Sequence, residues 1–203
     1  MDTLTAKTLE ALTAKGFTVH HVSTQAEARA LALALIPDGA SVGIGGSMTI
    51  QELGLYDALR ERGAHPHWHW RTDEPRDEAL RAAACSDVYL LSANAITANG
   101  CLVNIDGTGN RVGALIAGPK QVIVIAGANK LVDGGIPQAI ARIKTIACPL
   151  NARRLGKSTP CALEGRCNAA ICRKSMCSVT SVIERPLGGH PITIILADEA
   201  MGY

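Results

Sequence analysis

Four cysteines crowd a short stretch of this 203-residue chain, at Cys161, Cys167, Cys172 and Cys177. Thiolates at such density can hold a zinc ion or an iron–sulfur cluster. The spacing, C-x5-C-x4-C-x4-C, matches neither the paired C-x2-C knuckles of zinc ribbons nor the C-x2-C-x2-C run of bacterial ferredoxins. Three interpretations are therefore open: a metal or cluster site, reduced cysteines that pack a small loop, or disulfides.

The metal interpretation makes a geometric prediction. Metal–sulfur bonds of about 2.3 Å force the ligand sulfurs close together, so we expect all four thiols to converge on one inorganic site. The remaining cysteines, Cys85, Cys101 and Cys148, are isolated in the sequence. Isolated cysteines are commonly small buried hydrophobes, and we assign these three to packing.

A glycine-rich segment is the second candidate for chemistry. Gly43-x-Gly-Gly-Ser-x-Thr49 follows an apolar strand pattern and precedes a helical one. The unpaired amides of a helix start attract anions, and glycine allows close approach, so Gly45, Gly46, Ser47 and Thr49 are candidate anion ligands. Met48 stands where a dinucleotide fingerprint has its third glycine. The alternative is a tight turn in which Ser47 or Thr49 only caps the helix.

Further polar residues follow other predicted strands. In open α/β sheets, ligands bind outside the carboxyl ends of the strands. The candidates for a polar pocket that suits an anion are Asn94, Asn104, Asp106, Asn110, Arg111, Asn129 and Lys130. The alternative is that the Asn and Asp residues shape turns and that the two basic residues are solvated surface charges.

Three histidines alternate at His65, His67 and His69, with Trp68 and Trp70 between and after them. On a strand the histidines would share one face and could bind a metal. We interpret the segment instead as an edge strand that buries its tryptophans and exposes its histidines, since Pro66 cannot donate to a sheet ladder.

Composition excludes several classes of protein. Hydrophobic residues make up 47% and charged residues 19% of the chain, which is typical of a globular protein. A net charge of +2 with scattered basic residues disfavours nucleic-acid binding. No apolar run approaches the length of a membrane span, and the first residues lack the apolar core of a signal peptide. We therefore expect a cytoplasmic protein.

The elements that must position these residues alternate between strands and helices. Thr24 with Glu27, and Thr49 with Glu52, are predicted capping boxes of two helices. Residues 88–91 and 121–127 are apolar runs typical of strands buried on both faces of a parallel sheet. Residues 101–105 and 111–116 are predicted to be extended arms of a hairpin. The pattern predicts a single α/β domain over residues 1–203, with a mostly parallel sheet and a Cys-rich loop at 157–178.

Several motifs together resemble the LUD-domain, or lactate-utilisation, family over nearly the whole chain. They are VGIGGSMT at 42–49 with Glu52 and Gly54, LSANAIT at 91–97, NIDGTGNRV at 104–112, GPK at 118–120, NK at 129–130, ACPLN at 147–151, RL at 154–155, TPC at 159–161 and E-x-x-G at 199–202. The resemblance implies a Rossmann-like fold shared with glucosamine-6-phosphate deaminase, ribose-5-phosphate isomerase and CoA transferases, whose first glycine-rich loop often holds phosphate or acyl groups.

The resemblance also implies a function, namely participation in the oxidation of L-lactate, or a similar 2-hydroxy acid, to pyruvate. Because such systems contain iron–sulfur proteins, it favours an iron–sulfur cluster over zinc and implies iron–sulfur redox partners. Relatives carry Cys-x5-Cys-x2-Cys-x6-Cys, whereas here Ala170 occupies the third position and Cys172 lies two residues on. Either Cys172 substitutes or three ligands remain and leave one metal position open.

Two other functions remain open at this stage. One is a stand-alone enzyme of the isomerase or CoA-transferase type, with Glu52 as its acid–base or nucleophile. The other is a non-catalytic redox-sensing or scaffold module. Fold kinship alone does not decide between them. Assembly into a homo-oligomer is left open as well.

Overall fold

The computed structural model describes residues 1–71 and 74–203, and its centre is a six-stranded parallel sheet. Numbered along the chain, the strands of this sheet are β1 (Thr18–Val22), β2 (Ser41–Ile44), β3 (His65–His67), β4 (Val88–Leu91), β7 (Gln121–Gly127) and β10 (Ile192–Ala197), in the spatial order β1-β10-β7-β4-β2-β3. Every pairing is parallel. The predicted α/β class with a mostly parallel sheet is confirmed.

A second, four-stranded sheet lies beside the first. It contains β5 (Ala95–Thr97), β6 (Leu102–Asp106), β8 (Leu131–Val132) and β9 (Val179–Ile183), in the order β8-β5-β6-β9. β6 pairs antiparallel with both β5 and β9, whereas β8 pairs parallel with β5. The sequence patterns did not predict this separate sheet.

Helices connect and cover the strands. They are α1 (Thr3–Ala14), α2 (Gln25–Leu35), α3 (Met48–Glu52), α4 (Leu55–Glu61), α5 (Arg76–Ala84), α6 (Asn110–Ile116), α7 (Ile136–Arg142), α8 (Cys148–Arg154) and α9 (Pro160–Glu164). A π-helical turn, Ile143–Ala147, joins α7 to α8. Within the described residues, no helix is both long and apolar enough to span a membrane.

The central strands are buried on both faces, as their continuous apolar runs predict. Val88 and Leu90 of β4 pack with α2 and α4 on one face, and Tyr89 and Leu91 pack with α1, α5 and α6 on the other. Alternate side chains of β4 thus belong to two apolar cores, one on each face of the sheet. A third apolar cluster joins the second sheet to α7 and to the π-helical turn after it.

The predicted hairpin arm at residues 111–116 is wrong, because this segment is helix α6. The Asp106 carboxylate accepts hydrogen bonds from the amides of Arg111 (3.0 Å) and Val112 (3.4 Å). Gly109, at the N-cap, adopts φ +87°, a left-handed conformation that glycine adopts readily. An acidic cap and a glycine turn therefore start a helix where the apolar pattern alone allowed a strand.

One of the two predicted capping boxes is confirmed. Thr24 and Glu27 cap α2 reciprocally. The second is wrong: Ser47 is the N-cap of α3 and accepts a hydrogen bond from the Ile50 amide at 3.3 Å. The Glu52 carboxylate instead accepts a hydrogen bond from the Gly202 amide at 2.7 Å, so it fastens a distant segment rather than the start of its own helix.

The Cys-rich segment 157–178 is not a plain loop. It contains α9 and a 3₁₀ turn, Ala169–Ile171, before the chain enters β9. Cys161 is buried in α9, whereas Cys167 is exposed and Cys172 is partly exposed.

Candidate functional site

A cavity of about 570 Å³ opens where β2, β4 and β7 end. Such a volume is within the usual range of small-molecule sites. Of the predicted ligand-binding residues, the cavity is lined by Gly46, Ser47, Asn94, Asp106, Asn110, Arg111 and Lys130. Residues from four separate parts of the sequence therefore line one cavity near the carboxyl ends of these strands.

Lys130 is the most unusual residue of the cavity, because its side chain is buried, with 3% of the residue exposed. Its ammonium group donates hydrogen bonds to Thr49 Oγ1 (3.3 Å), Ser92 Oγ (3.3 Å) and the main-chain oxygen of Tyr203 (3.1 Å). Neither Asp nor Glu side chains belong to this set. Burying a cation without such a side-chain partner is costly.

Burial, together with the neighbouring cations Arg142 and Arg111, lowers the pKa of Lys130 to about 7. Desolvation and like charge both disfavour the protonated amine, whereas Glu52 opposes them weakly. Lys130 can therefore gain or lose a proton near neutral pH. An anion in the cavity would favour the protonated form.

Arg111 supplies the second cation. Its side chain is 12% exposed, and its guanidinium donates to the Ile105 carbonyl at 2.9 Å and to Asn94 Oδ1 at 3.4 Å. Asp106 lies 3.7 Å from the guanidinium, but its carboxylate also accepts three main-chain amides. Asp106 therefore has two roles, as the ion-pair partner of Arg111 and as a cap of α6.

Arg142 fixes the two loops that carry the site. It donates to the carbonyl of Asn94 at 2.7 Å and, with two nitrogens, to the carbonyl of Asn129 at 3.0 and 2.6 Å. Asn94 follows β4, and Asn129 precedes Lys130. Charge-assisted hydrogen bonds of this kind hold the loops in one arrangement. The sequence patterns missed this positioning role.

Glycines at the start of the site make room for two large side chains. A Cβ atom on Gly45 would lie 2.7 Å from Cγ of Arg111, and one on Gly46 would lie 3.0 Å from the Trp70 ring. The first distance is shorter than a van der Waals contact allows. The absence of side chains at Gly45 and Gly46 therefore leaves space for Arg111 and Trp70. The same loop leads into α3.

The other predicted ligand-binding residues support the cavity from behind. Asn104 Oδ1 accepts the Asn94 amide at 3.0 Å, and Thr49 accepts from Lys130. Asn129 is bonded to the main chain of Met201 and Gly202. Gly45, Thr49, Asn104, Asn129 and the predicted catalytic residue Glu52 are not among the described residues that line the cavity.

Several lining residues were not predicted from the sequence. Trp70 lies under Arg154, with 4.3 Å between the guanidinium carbon and the ring centroid. Arg154 also donates to Tyr203 Oη at 2.8 Å. His69 is half-buried, burial lowers its pKa, and its Nδ1 has no hydrogen-bond partner among the residues that the structure describes. Arg154 lies within a motif of the family resemblance, and its position there was the available signal.

The alternating histidines do not form one row. β3 is an edge strand, as predicted, but it ends at His67, so His69 turns towards the cavity. Trp68 is buried, and Trp70 is partly buried against the same core and the cavity. His65 is exposed. The prediction that all three histidines share an exposed face is wrong because the strand is too short.

The four clustered cysteines are not gathered around one point. In the described ranges, no group of three or more His, Cys, Asp or Glu side chains is placed to hold a metal ion. Cys177 instead contacts Cys148, with 3.5 Å between the sulfurs, and both line the cavity. Cys148 was assigned to packing from the sequence, and that assignment was incomplete. Cys85, likewise assigned to packing, is exposed.

Cys148 and Cys177 influence each other's pKa values. The hydrogen bond from Cys148 lowers the pKa of Cys177, and Lys144 and Ser175 lower it further against the effect of burial. The same hydrogen bond, with burial, raises the pKa of Cys148. The first proton therefore leaves the pair more easily than it leaves an ordinary thiol, and the second leaves with more difficulty.

Comparison with known proteins agrees with this architecture. A model of the LUD domain matches residues 5–196. The structure is similar to the crystal structure of a DUF162 family protein from Deinococcus radiodurans, with a TM-score of 0.56 and 13% sequence identity over 96% of each chain. At this identity the likeness shows a shared fold. No functionally curated protein matches the sequence.

Proposed function

The chain belongs to the LUD domain family, which is associated with lactate utilisation, and we propose that its cavity binds a small 2-hydroxy or 2-oxo carboxylate of the lactate and pyruvate class. The observation that carries the proposal is the pair of cations, Arg111 and Lys130, in one cavity. Lys130 is buried, and no Asp or Glu side chain is among its three hydrogen-bond partners. A carboxylate ligand would bring a negative charge to these two cations.

The chemistry of the lining suits a hydroxy acid or an oxo acid. Arg111 can bind a carboxylate with its planar guanidinium, and Ser47 and Asn94 can bond to a neighbouring hydroxyl or carbonyl oxygen. Lys130, with a pKa near 7, can accept a hydroxyl proton when it is neutral and donate one when it is charged. Arg111 is thus proposed to bind and orient the ligand, and Lys130 to move a proton.

The predicted acid–base role of Glu52 receives less support. Its carboxylate is exposed, lies outside the cavity lining and accepts the Gly202 amide. A stand-alone isomerase or CoA transferase that depends on Glu52 is therefore the weaker alternative. Within the cavity, Lys130 is the better placed proton carrier.

The predicted iron–sulfur cluster remains a proposal without a step in this mechanism. The described positions of Cys161, Cys167, Cys172 and Cys177 do not fit a cluster held by all four. Oxidation of a 2-hydroxy acid to a 2-oxo acid releases two electrons and two protons. We propose that the electrons pass to a separate iron–sulfur redox protein and that the protons pass to Lys130 and to solvent. A cytoplasmic location also remains a prediction.

Calorimetric titration of the whole chain with lactate, pyruvate, a sugar phosphate and a CoA ester tests the proposal. We expect lactate or pyruvate to bind, and Arg111→Gln to weaken binding at least about tenfold, or 1.4 kcal/mol. Arg29→Gln is the matched control. Arg29 is exposed on α2, so this substitution removes the same charge outside the cavity. Circular dichroism verifies that both variants fold.

Each other outcome contradicts the proposal in a different way. Binding of the sugar phosphate or CoA ester alone would favour the isomerase or transferase alternative. Equal losses in Arg111→Gln and Arg29→Gln would mean that the cavity is not the site. No binding of any of these compounds at millimolar concentration would favour the non-catalytic module.

A further inference from the structure

Two cysteines that are distant in sequence meet at the cavity wall. Cys148 is the first residue of α8, and Cys177 lies 29 residues later, shortly before β9. Their sulfurs are 3.5 Å apart. An S–S bond of about 2.05 Å therefore requires an approach of roughly 1.5 Å, which is a side-chain adjustment.

Several ordered elements surround the two sulfurs. The π-helical turn Ile143–Ala147 directly precedes Cys148, and such turns occur frequently at functional sites. Lys144, in that turn, places a positive charge near the Cys177 sulfur. Ser175 Oγ accepts the Cys177 amide at 3.1 Å and fixes the backbone there. An apolar cluster that includes Ile143 and Ala147 packs behind the sulfurs.

We propose that Cys148 and Cys177 form a redox-active dithiol that exchanges with low-molecular-weight disulfides entering the cavity. The proposal is independent of anion binding at Arg111 and Lys130. Both sulfurs line a cavity with room for a small disulfide, and a cation lies beside the more exposed sulfur. Cys177 is the attacking residue because it is the more accessible of the two.

The exchange proceeds in two balanced steps. The Cys177 sulfur attacks one sulfur of the disulfide RSSR, which breaks its S–S bond, forms Cys177–S–S–R and releases RS⁻. The Cys148 sulfur, giving up its proton, then attacks Cys177 and releases the second RS⁻. Overall, two protein thiols are oxidised, one small disulfide is reduced to two thiols, and the two protons end on the released thiols.

The purified protein is first analysed for bound metal, then reduced and incubated with oxidised glutathione. The remaining thiols are blocked, the protein is digested with trypsin, and disulfide-linked peptides are identified by mass spectrometry. Cleavage after Lys144 and Arg153 isolates Cys148, and cleavage after Lys174 isolates Cys177, each as the one cysteine of its peptide. We expect a disulfide-linked pair of these two peptides. Reduction with dithiothreitol should remove the link.

Single variants test the order of the steps. Cys148→Ser should accumulate glutathione on Cys177 at least about tenfold above the wild-type level, because the neighbouring thiol normally resolves the adduct. Cys177→Ser should leave Cys148 largely unmodified. Cys85→Ser, which removes an exposed thiol at the end of α5, should leave the link unchanged.

Two results would overturn the proposal. The first is a wild-type protein in which Cys148 or Cys177 links to Cys161, Cys167 or Cys172, or in which both stay unlinked while exposed Cys85 reacts. The second is a purified protein that contains bound iron or zinc and loses it in Cys148→Ser or Cys177→Ser. That result would make the pair metal ligands.

Discussion

The main-chain oxygen of Tyr203 lies 3.1 Å from Nζ of Lys130, so the segment that follows β10 reaches the buried amine. Asn129 and Glu52 hold this segment by hydrogen bonds to the main chain of Met201 and Gly202. The low pKa of Lys130 therefore depends on a segment that arrives from another part of the sequence. This dependence can be tested at a single glycine.

Gly127→Ala is expected to displace that segment. A Cβ atom at Gly127 would lie 2.4 Å from the Glu199 carbonyl oxygen and 2.6 Å from the Met201 amide, and main-chain atoms cannot easily move aside. We expect a loss of about 1–3 kcal/mol in the free energy of unfolding, measured by urea denaturation. Gly113→Ala is the control, since nothing lies within 4 Å of its Cβ in α6. Equal effects of the two changes would contradict this account.

Lys130→Met is expected to stabilise the protein at low pH. The folded-state pKa of about 7 lies below the unfolded value of 10.5, so the unfolded chain binds more protons between these values. The destabilisation by Lys130 is thus complete below pH 7 and disappears as the pH rises towards 10.5. Thr49 and Ser92 keep carbonyl partners without Lys130.

Urea denaturation of Lys130→Met and wild type at a series of pH values measures the effect. The variant should be more stable by a few kcal/mol at pH 6, and the difference should shrink steadily above pH 7. A difference that does not change with pH would show that Lys130 titrates normally in the folded protein.

Carboxylate binding is expected to take up protons near neutral pH. A bound anion raises the pKa of Lys130 from about 7, so binding at pH 7.5 converts neutral amine to ammonium. Affinity should therefore fall as the pH rises above 7. Calorimetry in buffers of different ionisation enthalpy measures the uptake directly. Lys130→Met should abolish it, and an uptake that persists in this variant would assign the proton to another group, such as His69.

The sequence predicted the residues at the carboxyl ends of the strands better than the contacts made by the segments packed around them. Ser47 and Lys130 follow apolar strands, and the rule that ligands bind at carboxyl ends was sufficient to place both at one cavity. The contact of Cys148 with Cys177 depends on packing between α8 and a segment 29 residues away. Local spacing carries no information about such a contact.

The same reason explains the error at residues 111–116. Their apolar pattern fits a strand or a short helix equally well, since it spans too few residues to distinguish the two periods. The decision comes from Asp106, whose carboxylate caps the amides of Arg111 and Val112. Asp106 lies beyond a glycine turn, so its cap forms only once β6 and α6 are in place.

Gly45→Ala tests whether the glycine-rich loop exists to accommodate Arg111. The added Cβ would lie 2.7 Å from Arg111 Cγ and 3.2 Å from both Arg111 Cδ and Tyr89 Oη. The guanidinium must then leave its place beside the Ile105 carbonyl and Asn94. We expect a loss of about 1–3 kcal/mol in the free energy of unfolding and at least about a tenfold loss in carboxylate affinity.

A double-mutant cycle with Arg111→Ala separates this clash from other effects of the substitution. Without the Arg111 side chain beyond Cβ, the two approaches to Arg111 disappear and the 3.2 Å approach to Tyr89 Oη remains, so Gly45→Ala should cost much less stability in that background. The interaction free energy should exceed about 0.5 kcal/mol, as it does for residues in contact. Additive losses would mean that the backbone of Gly45, rather than the space beside it, requires glycine.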